Sequence, residues 1–383
     1  MELRLSAAQV RLRQEAEAFC REILPLIEAE SDLAFQGMPS DGDSRVVYRR
    51  LGEAGWIGLH WPKEVGGRGL SLLETAAVEE VFGYYWLPLS PYLLSCRTVG
   101  TALLRFGPEP LARRLLPAIC RGELIFCQGF SEPEAGSDLA SLKTTACQVP
   151  GGFVVNGRKV WTSSAQVADW LYLTVRTDPE APKHRGLSVL VLPMDSPGIT
   201  IRPIPTLGGG VLNEVILSDV FVPREYLVGE LNGGWAVILY TLDYERVTIE
   251  KVGVLARVLD ELKAALGGMR PDSSWRLELS ELEGALRAAR LLCYRAAWHL
   301  ARGEPASVPS AMAKLAVGRL VKLVASVGLD LLGPAGLIEA GPLARLRGRA
   351  AALYRAAVGS TIAGGTAEIQ RLIIARRGLG CPG

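Results

Sequence analysis

The 383-residue sequence has few of the side chains that hold metal ions or form disulfides. Its three histidines, His60, His184 and His299, lie far apart and lack the spacing of zinc ligands. The seven cysteines are scattered, odd in number and without a Cys-x-x-Cys pair, so no disulfide framework is expected. We therefore expect no metal site, and a reducing compartment, by default the cytoplasm.

Long hydrophobic runs and an excess of one charge are also absent. No run of 18 apolar residues occurs, and the first residues begin an amphipathic helix rather than a signal peptide. The formal net charge is only +2, whereas nucleic-acid binders carry a basic stripe. Neither a membrane nor a nucleic acid is therefore expected as a partner. The composition, 49% hydrophobic and 21% charged, is that of a globular protein with a sizeable core.

The spacing of apolar residues changes twice along the chain. Helical spacing dominates residues 1–121, short strand-like runs between turn signals occupy 122–231, and helical spacing returns over 232–383. We therefore predict an N-terminal helical domain, a middle β-barrel or sandwich and a C-terminal four-helix bundle. Within the last part, one long helix is predicted over 235–266.

Two polar segments in the middle part have the residue types of a ligand site. Residues 131–138 offer hydroxyls, backbone N–H groups and a glycine bend, which suit a phosphate or a polar ring edge but equally an ordinary loop. Asn156-Gly157 predicts a β-turn before a strand that ends on Trp161 and three hydroxyl residues. Trp161 is either a core residue or a face offered to a flat cofactor.

Two further candidates lie in the C-terminal part. The glycines of Gly364-Gly365-Thr366 let the backbone approach a ligand, and they precede an apolar helix whose N-terminus would favour an anion. A plain helix start is the alternative. Glu245 lies within a strongly apolar helical segment, where a desolvated carboxylate suits general-base work. Its alternative is a solvated side chain paired with Arg246.

Taken together and in this order, the segments resemble the acyl-CoA dehydrogenase family. The resemblance spans nearly the whole chain and includes a Pro-x-x-x-Gly-Gly-x-Gly loop at 62–69. Its other motifs are Ser-Glu-Pro-x-Ala-Gly-Ser-Asp at 131–138, Lys-x-Trp-Thr-Ser-Ser at 159–164 and Gly-Gly-Thr-x-Glu-Ile-Gln-Arg at 364–371. It implies an FAD-dependent enzyme that forms a 2-enoyl-CoA from an acyl-CoA thioester and passes electrons to an electron-transfer flavoprotein.

The resemblance also implies roles for individual residues. Members of the family hold the flavin ring with residues of the middle domain, and the pyrophosphate and ribose with residues near the C-terminus. The matching positions here are Phe130 (main chain), Ser131 (near flavin N5), Trp161 (stacked on the ring), Ser163 (at the ring edge), Thr366 and Glu368.

The catalytic base of the family is a glutamate that occurs at one of two places. Most members carry it directly before the last Gly-Thr, and that position is Gly364 here. A minority carries it on a helix directly before an arginine, where Glu245 and Arg246 stand. The resemblance therefore implies Glu245 as base and Arg246 beside the catalytic centre, with the Gly364 N–H polarising the thioester carbonyl.

Substrate contacts are implied at three positions. Ser137 matches a residue near the pantetheine or phosphate part of the acyl-CoA. Tyr84 and Tyr85 stand where relatives line the acyl cavity, and would there favour a ring-bearing or branched acyl group. Simple packing at a helix end is the alternative for the two tyrosines.

Two departures from the family pattern fall on cofactor contacts between subunits. The basic, aromatic Arg-x-x-Phe-Gly element is missing from 265–275, and Asp330 replaces a glutamine. The chain would then join a related subunit in a heterotetramer, hold FAD differently as a homo-oligomer, or serve as a non-catalytic partner. A flavin-dependent oxidase or monooxygenase on the same scaffold is a further alternative.

Overall fold

The chain begins as a group of helices. The computed structural model describes residues 4–28, 44–269 and 274–382. The first helices are α1 (Ala7–Glu22), α2 (Arg45–Glu53), α3 (Leu72–Tyr84), α4 (residues 90–106, including the π-helical stretch Leu93–Gly100) and α5 (Glu109–Cys120).

A mixed β-sheet follows the helices. Its strands are β1 (Phe126–Gly129), β2 (Thr145–Val149), β3 (Gly152–Ser163), β4 (Trp170–Arg176), β5 (Leu187–Pro193), β6 (Ile199–Pro205), β7 (Val211–Pro223) and β8 (Leu227–Val228). The strand order is β6-β7-β3-β2-β4-β5-β8, with β1 parallel to β4. Inward-facing aliphatic residues of β3, β4, β5 and β7 form a core of their own.

Helices return after the sheet. They are α6 (Gly234–Glu245), α7 (Ile249–Met269), α8 (Ser274–Ala301), α9 (Ser307–Leu332), α10 (Arg349–Ala357) and α11 (Ala367–Ile373). Helices α7, α8 and α9 share one apolar core, and α3 packs against α7 and α8. The predicted succession of helical, β and helical parts is therefore confirmed. Within the described ranges, no helix combines the length and apolar character needed to cross a bilayer.

The single helix predicted over 235–266 is wrong, because the chain breaks it after Glu245. Thr248 has a left-handed backbone (φ +48°), which an α-helix cannot continue through. No glycine or proline marks the break in the sequence. A tertiary contact accompanies it instead, since the buried Arg246 donates from Nε to the Gly364 carbonyl at 3.0 Å. The break places Glu245 at a helix end instead of in mid-helix.

The β-turn predicted at Asn156-Gly157 is also wrong. Both residues lie inside β3, where the pairing with β7 shifts register between Val155 and Gly157. A Cβ at Gly157 would lie 2.4 Å from Thr144 Oγ1, so close approach of the two backbones requires glycine here. Strand β3 therefore runs without interruption to Ser163.

Candidate active site

The carboxylate of Glu245 lies between the sheet and the C-terminal turn. From the sheet side, Gln128 Nε2 of β1 approaches Glu245 Oε2 at 3.4 Å. From the other side, a Cβ built on Gly364 would lie 3.1 Å from Glu245 Oε1. The side chain is half-buried. Two segments 119 positions apart in sequence, residues 245 and 364, thus converge on one carboxylate.

Arg246 fixes the glycine turn that faces this carboxylate. Its Nε donates to the Gly364 carbonyl at 3.0 Å, and Gln370 Nε2 donates to the carbonyls of Gly364 and Gly365 at 3.3 and 3.0 Å. Both glycines have positive φ, +69° and +99°. Burial lowers the pKa of Arg246 below its ordinary value, although Glu245 opposes the shift. The backbone at 364–365 is therefore held in a conformation that favours glycine.

A buried lysine adds positive charge next to the same turn. Lys314 of α9 donates from Nζ to the Ser360 carbonyl at 2.7 Å, and its Cε lies 3.6 Å from the Cβ position of Gly364. Burial lowers the pKa of Lys314 to about 8, with Lys251 adding to this and Glu245 opposing it. Sequence reasoning missed Lys314. The available signal was a lysine inside the apolar pattern of a helix.

Trp161 is not a core residue, because 58% of its surface is exposed. Its φ of +62° is unusual for a bulky side chain. The pairing of β3 with β7 shifts register between Lys159 and Thr162, and such a bulge re-aims the side chain it contains. Beside it, Thr162 Oγ1 is buried and has no hydrogen-bond partner among the described residues. An open indole face suits a flat heterocycle.

Contacts of the loop after β1 link strand β3 to helix α6, which ends at Glu245. The Val160 N–H donates to the Ser131 carbonyl at 2.9 Å, which sets the half-buried Ser131 against β3. Phe130 is buried against the ring of Tyr172. The Tyr172 hydroxyl in turn shares a 2.9 Å hydrogen bond with Thr241 of α6. Ser131, Trp161 and Ser163 therefore belong to one rigid region next to α6.

The predicted cofactor residues near the C-terminus begin a short helix. Thr366 is the N-cap of α11, and its hydroxyl accepts from the Ile369 N–H at 3.3 Å. Glu368 is exposed and accepts from Arg371 at 3.2 Å. Its own backbone N–H, then the Thr366 hydroxyl and Arg371, lower the pKa of Glu368. Both side chains lie directly after the Gly364-Gly365 turn.

Of the three predicted substrate residues, Tyr84 and Tyr85 contact groups other than Glu245, and Ser137 lies on an exposed loop. Ser137 is exposed on the loop after β1. Tyr84 donates to Asp260 of α7 at 2.9 Å, and Tyr85 accepts from Arg21 at 3.0 Å. The two tyrosines line a cavity of about 460 Å³ together with residues between 24 and 28, which follow α1, with α7 and with residues between 344 and 349, and its described lining residues do not include Glu245. A role for the tyrosines in acyl binding therefore stays a prediction.

Comparison with known protein families gives matches over nearly the whole chain. Residues 6–123 match the description "Acyl-CoA dehydrogenase, N-terminal domain". Residues 127–220 match "Acyl-CoA dehydrogenase, middle domain". Residues 232–379 match "Acyl-CoA dehydrogenase, C-terminal domain".

Individual relatives are similar over their full lengths. "Acyl-CoA dehydrogenase FadE26" of Mycobacterium tuberculosis is 33% identical, with 100% of this chain and 99% of the relative covered. Among solved structures, "Tcur3481-Tcur3483 steroid ACAD" is 34% identical with a TM-score of 0.91, and 100% of both chains is covered. The "ChsE4-ChsE5 complex from Mycobacterium tuberculosis" is 31% identical with a TM-score of 0.88, again with 100% of both chains covered.

Proposed function

The chain belongs to the acyl-CoA dehydrogenase family, and we propose that it dehydrogenates a bulky acyl-CoA thioester with Glu245 as the base. It is an oxidoreductase that uses FAD, as the family does. The observation that carries the proposal is the approach of the Glu245 carboxylate to Gly364, since Glu245 Oε1 lies 3.1 Å from the Cβ position of that glycine. A general base needs to lie within reach of the proton it takes, and Glu245 is the carboxylate at this turn.

The residues of the sheet fit FAD. The exposed face of Trp161 would contact a flavin ring, with Ser131 and Ser163 at its edges. Thr366 and Glu368 would approach the pyrophosphate and ribose. FAD, when bound, supplies the acceptor for the hydride of the β carbon.

Glu245 would take the α proton onto a carboxylate oxygen. Its helix ends at that residue, so the side chain is held by the fold on one side and by Gln128 on the other. We propose that the Gly364 N–H donates to the thioester carbonyl, since Arg246 and Gln370 fix the orientation of this turn. Negative charge that develops on the thioester oxygen would then be stabilised by a preorganised donor and by nearby cations. The donor and the nearby cations would thus make the α C–H group more acidic.

The acyl group we propose is ring-bearing or branched. Gly364 contributes no side chain of its own to the surroundings of the Glu245 carboxylate. A 34% identical relative of known structure carries "steroid ACAD" in its title. A panel of acyl-CoA thioesters tests the proposal through the rate of flavin bleaching. We expect polycyclic or branched acyl groups to bleach the flavin at least about tenfold faster than straight chains, because the fit of a substrate in its pocket produces effects of this size. Equal rates would contradict it.

We propose a second, related chain as the partner that completes the cofactor site. Asp330, which replaces a glutamine of relatives, is exposed at the end of α9 and would repel a pyrophosphate. Part of the region where the Arg-x-x-Phe-Gly element is missing, 270–273, lies outside the described residues. The two similar structures named above carry two chain names in their titles. A homo-oligomer is the alternative, and electron-transfer flavoprotein is the proposed electron acceptor.

An apolar surface near the sheet is available for such a partner. Arg355 Nε donates to the Leu207 carbonyl at 2.8 Å, which sets the β6–β7 loop on α10. Leu207 is 90% exposed, and Tyr354 of α10 and Val358, which follows α10, are also exposed. We call these three side chains the α10 surface. We propose that they form part of the surface that the partner chain covers, since exposed apolar patches occur at protein interfaces.

An absorbance spectrum of the purified chain tests the proposed function, taken alone and after co-expression with a related chain from the same genome. We expect a flavin spectrum that an acyl-CoA thioester bleaches without oxygen. Rapid oxygen consumption without an added acceptor would instead favour an oxidase or monooxygenase. A chain that stays colourless in every combination would favour the non-catalytic subunit.

A further inference from the structure

Lys159 is a lysine without any solvent exposure, and the steps proposed above give it no part. It lies on β3, two residues before Trp161. Its Nζ donates to Glu132 Oε1 at 2.9 Å and to the Phe130 carbonyl at 3.1 Å. An ammonium is costly to bury, so this position calls for a reason beyond filling space.

Glu132, the partner of Lys159, is itself nearly fully buried and fully engaged. Its carboxylate also accepts from the backbone N–H groups of Lys143 at 2.7 Å and Thr144 at 2.8 Å. Burial alone would raise the pKa of Glu132, but Lys159 and these hydrogen bonds outweigh burial and lower it. Burial lowers the pKa of Lys159 to about 8, and Glu132 opposes that shift. The buried ion pair of Lys159 and Glu132 is therefore surrounded by hydrogen-bond partners for both of its charged groups.

The contacts of Lys159 lie on both sides of Ser131. Phe130 precedes Ser131 and Glu132 follows it, and one ammonium group binds both. The carbonyl of Ser131 accepts from the N–H of Val160, the residue after Lys159. The loop that carries Ser131 is therefore fastened to β3 at three successive residues.

The same lysine stands at the start of the bulge that exposes Trp161. The register of β3 with β7 shifts directly after Lys159, and Trp161 has its left-handed φ of +62° within this shift. Backbone conformations of this kind persist only where surrounding contacts determine them. A lysine anchored from both sides of Ser131 supplies such contacts at the near end of the bulge.

We propose that Lys159, paired with Glu132, is a positioning residue that sets Ser131 and Trp161 at the spacing needed to bind the flavin ring. The inference rests on the proposed function, since it concerns the same FAD site. Lys159 has no solvent exposure, so it acts through the loop and the strand rather than by contact with the cofactor.

The test compares FAD binding by wild-type protein with binding by Lys159→Met and by the double variant Lys159→Met with Glu132→Gln. All are studied in whichever form, single chain or complex, carries flavin in the wild type. The double variant removes both charges, so unlike the single variant it buries no unpaired ion. Its amide oxygen replaces one of the two carboxylate oxygens that accept from the Lys143 and Thr144 N–H groups. We expect the double variant to bind FAD at least tenfold more weakly and to show a shifted flavin absorption band, with circular dichroism unchanged.

Lys143→Met is the matched control, because Lys143 is an exposed lysine whose ammonium pairs only at the surface with Glu134. We expect wild-type affinity and spectrum from it. The positioning role is overturned if the double variant binds FAD with wild-type affinity and an unchanged spectrum. A double variant that does not fold also overturns it, since the pair then serves the fold rather than the flavin geometry. A wild type that binds no FAD in any form contradicts the proposed function itself, which separates the two failures.

Discussion

The carboxylate of Glu245 occupies the space that a side chain at Gly364 would enter. Its Oε1 lies 3.1 Å from the Cβ position of Gly364, and the φ of Gly364 is +69°. A Cβ contact this short forces one of the two groups to move, and a left-handed φ costs a non-glycine residue about 1–3 kcal/mol. A side chain at position 364 would therefore displace the Glu245 carboxylate from its present position.

Moving the base across this contact is the first prediction. The double variant Glu245→Ala with Gly364→Glu removes the present carboxylate and introduces a new one at position 364. The Cβ of the new glutamate would face the space that the Glu245 carboxylate occupies in the wild type. We expect turnover about tenfold above that of Glu245→Ala alone, because a general base contributes 10²–10⁴-fold. Turnover should stay well below wild type, because the new glutamate has the strained backbone of position 364. Flavin bleaching by acyl-CoA measures the rates. A double variant no faster than Glu245→Ala would show that the two positions do not face the same atom.

Replacing Trp161 by glycine should separate stability from cofactor binding. The substitution relieves a left-handed φ of +62° on a side chain that is 58% exposed. We expect the flavin-free protein to be at least as stable, by up to about 1 kcal/mol, since relief of strain outweighs the added flexibility of glycine. FAD affinity should fall at the same time, whereas Trp161→Phe retains most of it. Unchanged FAD affinity in the glycine variant would place the flavin elsewhere.

Lys314 should make stability depend on alkaline pH. Its pKa is about 8 in the folded protein against an ordinary 10.5, and Glu245, Arg246 and Lys251 act on it. Between these values the unfolded chain holds a proton that the folded chain has released, so stability from this group rises with pH. Relative to Lys314→Met, the wild type should gain on the order of 2 kcal/mol from pH 8 to 10.5. Urea unfolding of both proteins at the two pH values measures this gain. A difference in unfolding free energy that is the same at both pH values would contradict the lowered pKa of Lys314.

A charge on the α10 surface should weaken association with the partner chain. Val358→Asp places a carboxylate directly after α10, at a valine that is 52% exposed. Burying an unpaired charge in an interface is costly, so we expect a smaller particle in light scattering and less bound flavin. Leu277→Asp, at a leucine of α8 that is 68% exposed, is the control and should leave both unchanged. Equal effects of the two substitutions would argue against an interface at α10.

Much of the architecture could be read from the spacing of apolar residues. The strands between Phe126 and Val228 follow turn signals such as Pro150-Gly151, where Gly151 has a φ of +84°. Asn156-Gly157 carries the same kind of signal but lies inside β3, because its glycine serves a close contact with Thr144. Local sequence does not distinguish a glycine needed for a turn from one needed for backbone approach.

The site was predictable only where a motif could be matched. Glu245, Trp161 and Gly364 were singled out by local patterns and given predicted roles by the motifs, and the structure sets Glu245 Oε1 3.1 Å from the Cβ position of Gly364. The helix break after Glu245 was missed because long-range contacts, not glycine or proline, accompany it. Lys159 and Lys314 were missed because burial of a lysine depends on partners far away in sequence, here Glu132 and the Ser360 carbonyl.

The central claim, that Glu245 takes the α proton, is tested most directly by the rate at which an acyl-CoA thioester bleaches the bound flavin without oxygen. Wild type and Glu245→Gln are compared after matching their flavin content, since the amide keeps the shape of the side chain but cannot accept the proton. We predict bleaching at least about 100-fold slower in the variant, the usual contribution of a general base. Equal bleaching rates at equal flavin content would contradict the assignment.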